Sequence, residues 1–171
     1  MGPIVTDRLI LRNFRQGDAA GLLAYLREPR VTCFLDSRLD DLAAAEAEVA
    51  RRGESDEHIA VCLNETDTLI GDMFCVPEPP DTYSVGWNFN ADFGSRGFAL
   101  EGARAVFEHL FAKKNARRLY AYVEDDNVAS QRLCERLGMR QEGLFKGVRI
   151  LHHGYAGRPG LRKHDAVCDF A

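Results

Sequence analysis

The chain has 171 residues, a formal net charge of −4, 46% hydrophobic and 28% charged residues, which suits one globular domain over 1–171 able to bury a core unaided. Its acidic balance argues against nucleic acid as a partner, because phosphate binding needs a basic face. No apolar run nears the ~20 residues of a membrane span, and no signal peptide is expected.

The five cysteines, Cys33, Cys62, Cys75, Cys134 and Cys168, are odd in number and lack paired spacing. A reduced, cytoplasmic protein is expected. Arg8-Leu9-Ile10-Leu11-Arg12 reads as a first strand. From about Gln16, Leu22, Leu23 and Leu26 follow helical spacing, and Pro29 closes that helix. Asp40 or Asp41 starts a second, Ala-rich helix that ends at Gly53. Its acidic surroundings (Asp36, Asp40, Asp41, Glu46, Glu48, Glu54, Asp56, Glu57) read as a solvated face or as a rim for a cationic partner.

Strands follow at His58–Leu63, 69–76 and 83–90, with a turn at 64–67 and a stiff loop of Pro77, Pro79 and Pro80 between the last two. Short connections make this an antiparallel meander. A helix over 97–113 puts Ala103, Val106, Phe107, Leu110 and Phe111 on one stripe. A strand at 118–123 leads to a helix over 127–137 that Gly138 ends. Strands at 139–151 and 163–170 complete a mixed sheet with helices packed on its faces.

Two stretches carry chemistry. In Asn88-Phe89-Asn90-Ala91-Asp92-Phe93-Gly94-Ser95-Arg96-Gly97-Phe98-Ala99 a strand passes through a glycine turn into a helix. Backbone N–H groups at a helix N-terminus have no internal partner and, with the helix dipole, attract an anion. Glycine at 94 and 97 and alanine at 99 leave room for a diphosphate, and Arg96 adds a cation. The bland reading is a turn that merely starts a helix. In Asn127-Val128-Ala129-Ser130-Gln131-Arg132-Leu133-Cys134-Glu135-Arg136-Leu137-Gly138-Met139, Asn127 and Ser130 share the first helical turn. By itself that is a well-capped helix.

Taken in order, these stretches resemble the core of the GNAT acetyltransferases. Thr6-Asp7-Arg8-Leu9-Ile10-Leu11-Arg12, Leu69-Ile70-Gly71-Asp72, Gly97-Phe98-Ala99-Leu100-Glu101 and Gly138-Met139-Arg140-Gln141-Glu142-Gly143 are similar to the RimJ/RimL-like branch, which acetylates ribosomal-protein N-termini. The resemblance covers about residues 6 to 148 and a final strand. It implies a six- to seven-stranded, mostly antiparallel α/β sheet with helices on both faces, splayed between its fourth and fifth strands. It implies acetyl-CoA as co-substrate, with the diphosphate on Ser95, Arg96, Gly97, Phe98 and Ala99. Phe89, Asn90 and Ala91 then lie against the pantetheine arm and thioester, and Asn127 and Ser130 touch the coenzyme.

The family's acid–base residues are replaced here. Its tyrosine acid is Cys134, its glutamate on the fourth strand is Ser84, and one place for a glutamate on the fifth is Tyr122. Cys134 reads as the acid that protonates the leaving thiolate, as a nucleophile, or as a small core residue. A backbone N–H near Asn90 is the expected oxyanion donor. No metal is expected, since His152 and His153, adjacent on a strand, point to opposite faces.

The expected acceptor is a primary amine. A protein or peptide N-terminal α-amine, with a reference pKa of about 7.7–8.0, needs only a weak base. The alternatives are a small amine (a polyamine, an amino-sugar antibiotic or an amino acid) and a non-catalytic acyl-CoA sensor. Homodimers are common for such domains.

Overall fold

The structure is a computed structural model that describes residues 1–29, 37–124, 126–146 and 164–170. One sheet of eight strands runs through it, in the order β1-β2-β3-β4-β5-β6-β8-β7. The strands are β1 (Ile4–Val5), β2 (Leu9–Arg12), β3 (His58–Leu63), β4 (Leu69–Glu78), β5 (Thr82–Phe89), β6 (Arg118–Glu124), β7 (Arg140–Lys146) and β8 (His164–Phe170). The helices are α1 (Ala19–Leu26), α2 (Leu42–Gly53), α3 (Phe98–Lys114) and α4 (Val128–Leu137). The mixed, mostly antiparallel α/β fold is therefore as expected.

The strand count exceeds the expected six or seven because β1, too short to show a period, pairs Ile4 with Leu11 and Val5 with Ile10. A second correction concerns Pro77, expected in a loop but held in β4 opposite Tyr83. The β3 ladder reaches only Phe74, so β4 has a neighbour on one side there, where a residue without an N–H is tolerated. The expected strand at 139–151 is described as far as Lys146, and the remainder lies outside the described residues.

Alternation along the strands makes two cores. Leu9 and Leu11 of β2, Ile59 and Val61 of β3, and Val85 of β5 pack beneath α3 and α4 with Val106, Phe107, Leu110, Leu133 and Leu137. On the other face, Ala60 and Cys62 lie beneath α1 and α2 with Leu22, Leu26, Ala45 and Val49. Helix starts and stops follow local chemistry. The Asp41 carboxylate accepts from the Ala44 N–H at 2.8 Å and caps α2. Gly138 ends α4 at φ 82°, a left-handed position that suits glycine.

β5 and β6 form the single parallel pair among the described strands, and their register holds only for Thr82–Arg118, Tyr83–Leu119 and Ser84–Tyr120. Past Ser84 and Tyr120 the two strands separate while β5 continues to Phe89 and β6 to Glu124. This is the expected splay. It opens towards the N-termini of α3 and α4, which follow β5 and β6 in the chain.

Candidate active site

The turn after β5 is shaped by its backbone. Ala91–Phe93 form a 3-10 turn, capped by the Asn90 side chain accepting from the Asp92 N–H at 3.0 Å. Ser95 then takes φ 60° and Gly97 φ 82°, both left-handed. Only the second is easy for its residue type. Gly94, expected to supply freedom, sits at an ordinary φ of −64°. Gly97 caps α3 without any side-chain bond, and the Glu101 N–H to the Gly97 carbonyl (3.0 Å) closes the first helical ring. The N–H groups of Phe98, Ala99 and Leu100 precede that ring and so have no partner within the helix. The turn therefore fits a diphosphate: donors at the positive end of a 17-residue helix, with the exposed Arg96 beside them.

Asn90 requires a correction. Its N–H donates to the Ile70 carbonyl at 2.9 Å, so it is already engaged and does not face the splay. Antiparallel strands alternate the direction of their backbone groups. With Asn90 bonded to β4, the N–H groups of Phe89 and Trp87 point the other way, towards β6. At their level the parallel register has ended. These two donors, close to Asn90, are the ones the ladder leaves open to the splay.

Asn127 and Ser130 are brought to the other wall of the splay. The Asn127 side chain caps α4 by accepting from the Ser130 N–H at 3.1 Å. The Trp87 indole N–H donates to the Ser130 hydroxyl at 3.1 Å, tying the middle of β5 to the first turn of α4. Two segments 43 residues apart are thereby brought together. Trp87 was legible only as an aromatic near a sheet; nothing local marked its partner. Cys134, by contrast, is 1% exposed and packed in the core beneath α4.

The opposite face of β5 and β6 is open. Alternation puts Ser84 there with Tyr120 and Tyr122, whose rings meet edge to face with centroids 5.4 Å apart. Ser84 stands beside Tyr120 as its partner in the parallel register. The Tyr120 phenol donates to Glu78 Oε1. Burial and the Glu78 carboxylate push the Tyr120 hydroxyl up to about 12, against the opposing influence of Ser84. It thus stays protonated at neutral pH. Glu78 was missed because it sits just after Pro77 inside the expected loop; the longer β4 brings it alongside.

The acidic stretch is largely occupied with its own chain. Glu48 pairs with Arg51 and Arg52, and those bonds outweigh burial and hold its carboxyl down at about 2. Among the described residues no His, Cys, Asp and Glu group has the makings of a metal site. His152 and His153 lie outside them.

The same order of elements is found in known proteins. The family model described as Acetyltransferase (GNAT) domain matches residues 8–140. The chain is 32% identical over 145 residues to the uncharacterized N-acetyltransferase YnaD of Bacillus subtilis (strain 168), covering 84% of this chain and 85% of the relative. An acetyltransferase (GNAT family) from Bacillus anthracis superposes with a TM-score of 0.85 at 24% identity, over 98% of this chain and 97% of its own. RimL, a ribosomal L7/L12 alpha-N-protein acetyltransferase in complex with coenzyme A, does so with a TM-score of 0.76 at 15% identity, over 98% and 97%. A diphosphate-sized turn at the mouth of a splayed sheet, matched by the family over most of the chain, leads to one assignment: the chain belongs to the GNAT family and is an acetyl-CoA-dependent N-acetyltransferase.

Proposed function

We propose that this enzyme acetylates the α-amine at the N-terminus of a protein or peptide, as a cytoplasmic member of the RimJ/RimL-like branch, with 1–171 acting as one domain. The observation that carries the acceptor choice is a row of hydroxyls, Ser84 beside Tyr120, of which Tyr120 donates to the surface carboxylate of Glu78. Such a row is a weak proton acceptor. It suits an α-amine, whose reference pKa of about 7.7–8.0 leaves part of it neutral at pH 7, better than a lysine-like amine at about 10.4. The free, buried thiols of Cys62, Cys75 and Cys134 are in keeping with a reducing compartment.

Acetyl-CoA, a substrate, supplies the activated acetyl group. In this reading Ser95, Arg96, Gly97, Phe98 and Ala99 hold its diphosphate, Phe89, Ala91 and the flanking Asn90 line its arm, and Asn127 and Ser130 bound the arm on the α4 side. The amine nitrogen attacks the acetyl carbon from the open face. The carbonyl pair moves to oxygen, which accepts from the Trp87 or Phe89 N–H. The C–S bond then breaks and the thiolate leaves with its pair. An amine that arrives protonated first passes that proton to the Ser84 oxygen, as Ser84 gives its own to Tyr120 and Tyr120 gives its own to Glu78. The proton that the nitrogen sheds after attack balances the one that the thiolate takes up, for which Cys134 is the candidate donor. Holding both reactants in register supplies most of the rate.

The test is an acetylation assay with acetyl-CoA against peptides of varied N-terminal residue, spermidine, an amino-sugar and free amino acids. A kcat/KM for some peptide at least about tenfold above every small amine is the expected outcome. Turnover of small amines alone would overturn the acceptor assignment and leave the acetyl transfer intact.

A further inference from the structure

The opening run Thr6-Asp7-Arg8 has no task in the mechanism above, yet it reaches the coenzyme turn. Thr6 Oγ1 donates to Glu101 Oε1 at 2.7 Å, and the Arg8 backbone N–H donates to the same oxygen at 3.0 Å. Arg8 Nε donates to Glu101 Oε2 at 2.7 Å. A terminal nitrogen of the same guanidinium donates to the backbone carbonyl of Arg96 at 3.0 Å. The group lies 4.7 Å over the Phe98 ring, and a Cβ placed on Gly97 would stand 3.5 Å from its other nitrogen. One side chain from β2's approach therefore touches three residues of the turn and helix start.

We propose that Arg8 is a positioning residue for the coenzyme diphosphate, holding the Arg96–Gly97 peptide so that its N–H faces the anion. This rests on the turn's being the diphosphate site. In a trans peptide the C=O and N–H point in opposite directions. With the Arg96 carbonyl fixed towards Arg8, the Gly97 N–H is turned away from it. Nothing in glycine itself chooses that orientation, because Gly populates both signs of φ with similar ease. A flipped peptide would put a carbonyl oxygen where the phosphate must sit. Arg8 answers a second difficulty as well. Glu101 lies in the first turn of α3, at the helix end that has to attract an anion. Burial would raise its carboxyl, but the bonds from Thr6 and Arg8 outweigh burial and keep it below the ordinary value. It is therefore a charge, and Arg8 cancels it.

The two effects separate in one experiment. Coenzyme A is titrated into the wild type, Arg8→Gln and the double variant Arg8→Gln, Glu101→Gln, with calorimetry and Trp87 fluorescence as readouts. KM for acetyl-CoA and kcat are measured on the best acceptor. The Kd of Arg8→Gln is expected to rise about tenfold, a change of about 1.4 kcal/mol. The double variant is expected to stay as weak, and the loss to appear in KM for acetyl-CoA and not in kcat. Recovery of wild-type affinity in the double variant would overturn the proposal, since charge cancellation alone would then account for Arg8. An Arg8→Gln Kd within twofold of wild type would overturn it directly. A wild type that binds no coenzyme A would overturn both this and the site on which it rests.

Discussion

The two faces of the sheet are held by different forces. Beneath α3 and α4 the buried side chains are hydrocarbon, aromatic or thiol, from Leu9 and Leu11 across to Leu119, Ala121 and Val123. Beneath α1 and α2 the buried set includes charges. Arg12 forks onto Asp18 at 2.8 and 2.9 Å, and Arg52 meets Asp72 at 2.9 Å while the Tyr25 hydroxyl donates to the same carboxylate at 2.8 Å. Apolar burial is non-directional, whereas a buried ion pair accepts few geometries. The coenzyme face needs only a firm platform, because its donors are backbone. The other face carries α1 and α2, and directional bonds hold them in one pose.

The largest effect should come from breaking a charged contact. Arg52→Met leaves Asp72 and Tyr25 buried without their cation and is expected to cost about 3–5 kcal/mol in urea unfolding. A cost below about 1 kcal/mol would show that the two faces are not held differently after all. The second test is by pH. His58, on the α2 side of β3 with its Nδ1 buried and unpartnered, is pushed down to about 4 by burial and by Arg52 and Arg51. Its folded pKa lies below the unfolded value of 6.5, so the stability linked to the neutral ring is complete above pH 6.5. It is lost as the pH falls towards 4, by about 3 kcal/mol in all. Unfolding of His58→Leu followed from pH 7 to 4 should lack that slope.

Catalysis sharpens the contrast next. Tyr120→Phe interrupts the hydroxyl row and is expected to lower kcat by about 10²-fold. The deficit should shrink as pH rises past the amine's pKa of about 8, where no proton needs a route before attack. A pH-independent deficit would point to packing of the ring instead. The smallest effect belongs to the coenzyme face. Ser130→Ala removes the partner of the Trp87 indole and should cost about 1 kcal/mol, with a shifted emission from the chain's single tryptophan.

Legibility followed the same division. Caps and periods were local, so Asp41 and Gly138 marked the ends of α2 and α4, and the strand at His58–Leu63 matched residue for residue. The turn into α3 was legible for a related reason: its N–H groups are consecutive backbone groups after one glycine. Asn90 misled because the direction of a strand N–H depends on which neighbour it pairs with, and Ile70 supplies that neighbour. The bonds from Tyr120 to Glu78 and from Trp87 to Ser130 join residues 42 and 43 apart, distances over which no period or spacing carries information.

By itself, then, the sequence determined most of the elements, the sheet's meander and the glycine-led start of α3, all of which follow from contacts within a few residues. The tertiary structure decided which N–H groups face the splay, which hydroxyls reach a carboxylate, and that Arg8 grips the turn 88 residues away. Those features depend on register and on strand parting, and both are settled only when the whole sheet closes on its two layers of helices.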